Sequence, residues 1–187
     1  MTNKTIGHEA AIAELSERVA RRLRVFDGFP RPGIAFQDLC GVLGDPVLLR
    51  DIAALIDDVF RGTFDRVLAV EARGFVLGTA LASQSGRSLV LARKAGKLPG
   101  RVRRVEYDLE YGSAALEVQW DALRPGDRVL VVDDLLATGG TLAAARVLVE
   151  TSGAEVAGYA VIMRLDGLPG QERLLPHPLV SIRDVAV

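Results

Sequence analysis

The sequence predicts an α/β domain with a central, mostly parallel sheet and helices on both faces. Three observations point to it. Short apolar runs rich in Val and Leu, at residues 66–71, 128–132 and 156–163, alternate with helical stretches, as strands buried on both faces do. The run ending at Val132 passes through two acids and a Gly-Gly pair into a helix, and open α/β sheets bind ligands beyond the carboxyl ends of their strands. Finally, 187 residues, 49% hydrophobic and 25% charged, suit one domain with a sizeable core.

Taken in order, residues 9–24 carry Ile12, Leu15, Val19 and Leu23 at helical spacing with charges between, which reads as an amphipathic helix. Residues 26–33 (FDGFPRPG) read as a Pro/Gly loop. Asp45-Pro46 reads as an N-cap followed by proline at the first helical position, with Leu49, Ile52, Ile56, Val59 and Phe60 as the buried stripe. A strand at 66–71, a helix at 75–83 and a strand at 88–92 follow. Residues 102–111 and 114–120 flank Gly112-Ser113 as a hairpin. Strand 128–132, helix 141–150 and strand 156–163 complete the alternation. The remainder, with several Gly and Pro residues, is expected to wrap the surface before a last short strand near 179–182.

Charge and composition exclude several function classes. Lys and Arg number 23 against 24 Asp and Glu, a net charge of -1, whereas nucleic-acid and anionic-membrane binders carry a basic excess. The single cysteine, Cys40, permits no internal disulfide, and His8 and His177 suggest no metal pair. No stretch has the 18 or so consecutive apolar residues of a membrane span. Residues 1–15 lack the apolar core of a signal peptide, so a cytoplasmic location is the expectation.

The decisive segment is LVVDDLLATGGTLA, residues 130–143. A helix N-terminus offers unpaired N–H groups and the positive end of a dipole, which together hold a phosphate. Gly139 and Gly140 let the backbone approach an anion, and Thr138 and Thr141 add hydroxyl donors. Asp133 and Asp134 just upstream suit sugar hydroxyls or a hydrated Mg ion. The competing reading is a plain strand-to-helix turn in which these residues only cap the helix. The apolar strand and acid pair in register favour phosphate. The segment lacks the Gly-Lys-Ser/Thr of a P-loop and the spaced glycines of a dinucleotide fingerprint.

VLVVDDLLATGGT (129–141) resembles the phosphoribosyl-diphosphate motif of the type I phosphoribosyltransferases. FPRPGIAFQDL (29–39), EARGF (71–75), ARKAGKLPG (92–100) and YDLEYGSAALEVQ (107–119) resemble the adenine-specific branch in order and spacing, so the resemblance covers about residues 29–174. It implies one phosphoribosyltransferase domain over 1–187, with an N-terminal helix and hood (1–40), a small C-terminal contribution to that hood, and a flexible lid and β-hairpin (93–120). It also implies the reaction adenine plus 5-phosphoribosyl 1-diphosphate giving AMP and diphosphate, with Mg held mainly by substrate. The enzyme would be a purine-salvage homodimer that binds neither nucleic acid nor membrane.

The resemblance assigns roles by position. Ala137, Thr138, Gly139, Gly140 and Thr141 would cradle the 5′-phosphate, with Asp133 and Asp134 facing the ribose. Arg73, Arg93 and Lys97 would bind diphosphate. The peptide between Glu71 and Ala72 is expected to be cis. Glu110 and Tyr111 would close over the substrates, Glu110 handling the purine proton. Phe36 would stack on adenine, the backbone of Ala35 and Gln37 would read its edge, and Leu165 would cover the other face.

Arg93, Lys94, Lys97, Arg101, Arg103 and Arg104 place six basic residues in twelve positions. A solvated loop and a nucleic-acid patch compete there with a lid for a polyanion. The acids at Glu106, Asp108 and Glu110, and the absence of aromatics among the cations, argue against nucleic acid. Two departures from the family pattern stand out: Asp38-Leu39-Cys40-Gly41 where Asp-Ile-Thr-Pro is common, and Arg164, a cation beside the base pocket. Arg164 leaves open a xanthine or hypoxanthine/guanine enzyme of the same fold. A non-catalytic phosphoribosyl-diphosphate sensor is the third reading; one helix before Phe29 is too little for a helix-turn-helix domain, which argues against it. Cys40, His8, His177 and Trp120 receive no functional role.

Overall fold

A computed structural model describes residues 3–29, 31–33, 35–108 and 113–186. The chain opens with α1 (Asn3–Arg22) and a small two-stranded sheet of β1 (Arg24–Asp27) and β2 (Ala35–Asp38). A short turn of helix α2 (Cys40–Leu43) leads to α3 (Pro46–Val59), β3 (Arg66–Val70), α4 (Gly74–Ser85) and β4 (Ser88–Lys94). The hairpin strands are β5 (Val102–Asp108) and β6 (Ser113–Gln119). Then come β7 (Arg128–Leu136), α5 (Gly140–Thr151), β8 (Glu155–Asp166), α6 (Gly170–Leu174) and β9 (Leu179–Ala186).

Seven strands form the main sheet in the order β5-β6-β4-β3-β7-β8-β9. Strands β4, β3, β7, β8 and β9 are mutually parallel, and the hairpin adds antiparallel strands at one edge. The predicted α/β architecture is therefore present, and the carboxyl ends of β3, β4, β7 and β8 share one side. The strands read as unbroken apolar runs because alternate residues enter two different cores. Val67, Leu130, Val132 and Ile162 face α1, α3 and α4, whereas Leu68, Val129, Val131 and Val161 face α5. Each such side chain contributes about 1.5–3 kcal/mol by burial, so a polar residue on either face would be costly.

Asp45 caps α3 as expected, its Oδ1 accepting from the N–H of Val47 (3.1 Å) and Leu48 (3.0 Å). The buried stripe of α3 centres on Leu48, Ile52, Leu55 and Ile56; Leu49 and Val59 are only half-buried. Other expectations need correction. The first helix ends at Arg22, and Arg24 starts β1. Residues 26–27, expected in a loop, belong to a strand, and β2 has no counterpart among the expected strands. Both strands have only four residues; β1 is exposed throughout, and β2 runs from exposed Ala35 to buried Asp38, so neither leaves an alternating pattern. β7 runs through Asp133 and Asp134 to Leu136 because Asp133, Leu135 and Leu136 still pair with β8. The tail contains α6, and β9 extends to Ala186. The segment 93–120 is sheet over most of its described length: Arg93 and Lys94 belong to β4, and Leu116 and Val118 are buried. Among the described residues no helix is long and apolar enough to cross a membrane.

Candidate active site

β7 delivers its carboxylates to the same end of the sheet where α5 begins. Residues 137–139 form a bend, and Gly139, the N-cap of α5, has φ +80°, a backbone conformation that favours glycine. Ala137, Thr138, Gly139, Gly140 and Thr141 line a cavity of about 220 Å³ together with Arg73 and Asp134. The first N–H groups of α5 lack helical acceptors and the helix dipole adds positive potential, so this cavity suits a phosphate.

Asp133 and Asp134 are both buried, and the Asp134 N–H donates to Asp133 Oδ1 (2.8 Å). Burial first, and the adjacent Asp134 charge second, push the Asp133 carboxyl well above the usual carboxylate range. Arg73 Nε lies 2.8 Å from Asp134 Oδ2. The pair is misaligned for a hydrogen bond, and Asp134 Oδ2 is buried without one. One guanidinium thus faces two acids, an arrangement able to stabilise positive charge developing on a sugar.

Arg73 follows β3, where the Glu71–Ala72 peptide is cis, as expected. The Glu71 carboxylate accepts from Arg93 Nε and Nη2 (both 3.2 Å) and from the Lys94 N–H (2.9 Å). Burial opposes its ionisation, but the Arg93 and Lys94 contacts outweigh it and hold the carboxyl below its usual range. Arg93 Nη1 also donates to Lys97 O (3.1 Å). Arg93 and Lys97 therefore sit at the carboxyl end of β4 beside the Arg73 loop, outside the 220 Å³ cavity. In the sequence Glu71 is only one residue of the EARGF motif; its contact with Arg93 arises in the fold.

Of the predicted base-binding residues, Ala35, Phe36 and Gln37 lie on β2, whereas Leu165 lies on β8 and does not line the aromatic cavity. Phe36 meets Phe29 edge-to-face at 5.0 Å, and both line a cavity of about 570 Å³ with Phe26, Asp27, Gly28 and Asp38. Arg73 Cζ stands 5.8 Å from the Phe36 ring centroid, so the phosphate and aromatic cavities meet at Arg73. Ala35 pairs with Asp27 and Gln37 with Val25 across the small sheet. Leu165 opposes Val185 across β8–β9 and packs on the core. Glu110 and Tyr111 lie outside the described residues.

Asp38 anchors β2, accepting from Arg24 Nε and Nη2 (3.0 and 2.6 Å) and from the Cys40 N–H (2.9 Å). The Cys40 thiol and N–H, with Arg24, hold its carboxyl down at about 2. Cys40 therefore shapes the turn after β2, and its exposed thiol is pushed up by the same Asp38. Arg164 is engaged too: its Nε and Nη2 bind Asp184, its register partner on β9.

Trp120 corrects the expectation that no aromatic interleaves the cations. Arg101 Cζ and Arg103 Cζ lie 3.4 and 3.8 Å from its ring centroid, distances that place the two guanidiniums on opposite faces. Arg103 Nη1 also reaches Thr151 O (3.1 Å) at the end of α5. Trp120 follows the hairpin in sequence but stacks between residues of its first arm, which linear spacing could not reveal.

The family profile described as phosphoribosyl transferase domain matches residues 45–177. The chain is 50% identical over 169 residues to the adenine phosphoribosyltransferase of Clavibacter michiganensis subsp. michiganensis, covering 89% of this chain and 95% of that one. It is 45% identical over 168 residues to that of Renibacterium salmoninarum, covering 90% and 92%. Among solved structures, the adenine phosphoribosyltransferase of Thermoanaerobacter pseudethanolicus superposes with a TM-score of 0.86 at 38% identity, covering 90% and 99%.

Proposed function

The chain belongs to the adenine phosphoribosyltransferases of the type I phosphoribosyltransferase family, and from that premise we propose how its site makes AMP from adenine and 5-phosphoribosyl 1-diphosphate in purine salvage. The observation that carries the proposal is the cavity of about 220 Å³ in which the start of α5, Arg73 and Asp134 converge. The N–H groups of residues 137–141 hold the 5′-phosphate. Asp133 and Asp134 face the ribose and stabilise it as the bond from C1′ to diphosphate breaks, a cation-like stage akin to glycoside chemistry. Arg73 leaves Asp134 for the diphosphate, which its planar fork can grip bidentately. The purine N9 then bonds to C1′ and loses its proton, with Glu110 the candidate acceptor and Tyr111 closing beside it.

Phe36 stacks on adenine, the backbone of Ala35 and Gln37 reads its edge, and Leu165 covers the second face. Arg93 and Lys97, the former braced by Glu71, complete the diphosphate side. Among the described residues no group of three or more His, Cys, Asp or Glu could cage a metal. Asp134 Oδ2, buried without a hydrogen bond, is the side-chain oxygen that suits a substrate-borne Mg. The ion would neutralise diphosphate charge. The reading extends to a homodimer in the cytoplasm, which sedimentation and fractionation test. The engagement of Arg164 by Asp184 supports adenine over xanthine, hypoxanthine or guanine, because it ties the departing cation to its own sheet.

The test offers phosphoribosyl diphosphate and Mg with adenine, hypoxanthine, guanine, xanthine or orotate separately. AMP from adenine alone is expected. Product from another base would move the specificity, and tight phosphoribosyl-diphosphate binding without any product would indicate a sensor. Glu110→Gln with unchanged turnover would remove Glu110 as proton acceptor.

A further inference from the structure

The C-terminal segment after β8 carries none of the motifs assigned to the reaction, yet it touches the phosphate loop backbone to backbone. A Cβ placed on Gly170, the first residue of α6, would lie 2.1 Å from Ala137 O and 2.9 Å from Leu136 Cδ1. Reciprocally, a Cβ on Gly139 would lie 2.8 Å from Gly170 O and 3.0 Å from Gly170 Cα. Two glycines therefore face each other, and a side chain on either would push the two backbones apart.

The contact has a chemical consequence. The Ala137–Thr138 peptide is not among the cis bonds, and in a planar trans peptide the C=O and N–H point in opposite directions. With Ala137 O turned to Gly170, the Thr138 N–H is turned away from α6. Thr138 lines the phosphate cavity with Arg73 and Asp134.

We propose that Gly170 is a positioning residue for phosphoribosyl-diphosphate binding: by admitting Ala137 O against its bare Cα, it orients the Thr138 N–H toward the 5′-phosphate. The proposal rests on the assignment of residues 137–141 as the phosphate cradle. Gly170→Ala should turn or shift this peptide and misdirect one charge-assisted hydrogen bond, a loss of about tenfold or more in affinity. Ground state and transition state share this contact, so the loss falls on KM for phosphoribosyl diphosphate, with kcat and KM for adenine little changed.

Gly158→Ala supplies the control. Its Cβ would lie 2.4 Å from Phe60 Cε1, overpacking the core near the amino end of β8 where the cradle is not involved. It should lower Tm and leave KM for phosphoribosyl diphosphate unchanged. Equal KM for Gly170→Ala and the wild type, or the same KM rise in both variants, would overturn the proposal. Amide shifts of the wild-type protein titrated with ribose 5-phosphate keep the test independent of whether a variant folds. A downfield Thr138 shift together with those of Gly139–Thr141 is expected. Shifts at 139–141 that spare Thr138 would overturn the role of Gly170 alone. No shift anywhere in 137–141 would overturn the cradle assignment and this inference with it.

Discussion

The proposed phosphate end, at the carboxyl end of β7, is built mainly of backbone, whereas the proposed base end, at β1–β2, adds aromatic side chains to its backbone. The first region is buried and cross-braced: β7 pairs with strands on both sides, and the loop leans on Gly170. The second is a pair of four-residue strands, with Phe26 on β1 47% exposed and Phe29 in the loop after it 55% exposed. Backbone N–H groups at a helix start recognise an anion without any particular side chain. An aromatic platform recognises a ring by area and shape. Arg73 joins the two regions, 2.8 Å from Asp134 and 5.8 Å from the Phe36 centroid.

This contrast can be broken at its joint first. Arg73→Ala should lower kcat/KM by about 10²–10³-fold, the usual effect of removing a preorganised transition-state donor. Steady-state kinetics with both substrates varied checks it, and a tenfold or smaller loss would mean that Arg93 and Lys97 carry the diphosphate.

Asp133→Asn separates activity from stability at the phosphate end. Turnover should fall by at least about tenfold, yet Tm at pH 7 should rise. The sign follows from linkage. A carboxyl whose pKa is raised by folding favours the folded state fully only below its ordinary value of 3.8, and that contribution is lost as pH rises through the raised value. The Asn variant avoids this loss, so its advantage should vanish as pH falls below 3.8. Thermal melts across pH read the crossover.

Phe36→Leu sharpens the other side. Losing aromatic stacking of about 0.5–1.5 kcal/mol should raise KM for adenine about three- to tenfold and leave that for phosphoribosyl diphosphate unchanged. Trp120→Ala removes two guanidinium stacks worth about 0.5–1 kcal/mol each, lowering Tm by about 4 °C. Arg164→Ala has the smallest expected effect. Its partner Asp184 is 45% exposed, so stability should change by about 0–1 kcal/mol and base preference should remain with adenine.

The same contrast explains what was legible in the sequence. Asp133, Asp134 and the Ala137–Thr141 run announce themselves because strand, acids and helix start are contiguous and each step has a local cause. The strands with both faces buried, such as 66–70, are equally plain. β1 and β2 are not, since four residues each, all exposed in β1 and graded from exposed to buried in β2, leave no periodic burial. The Glu71–Arg93 brace, the Trp120 stack and the Gly139–Gly170 contact join residues 22, 17 or 19 and 31 positions apart; only the folded chain brings them together. Arg164 is the opposite case: its charge stands out in the sequence, whereas its register pairing with Asp184 is visible only in the fold.

The most direct measurement is a crystal structure of the enzyme with AMP. The 5′-phosphate should rest on the N–H groups of residues 137–141, with the ribose hydroxyls at Asp133 and Asp134 and the adenine ring against Phe36. A phosphate held instead by Arg93 and Lys97, or a ring seated away from Phe36, would contradict the division between a backbone-built phosphate end and a side-chain-built base end.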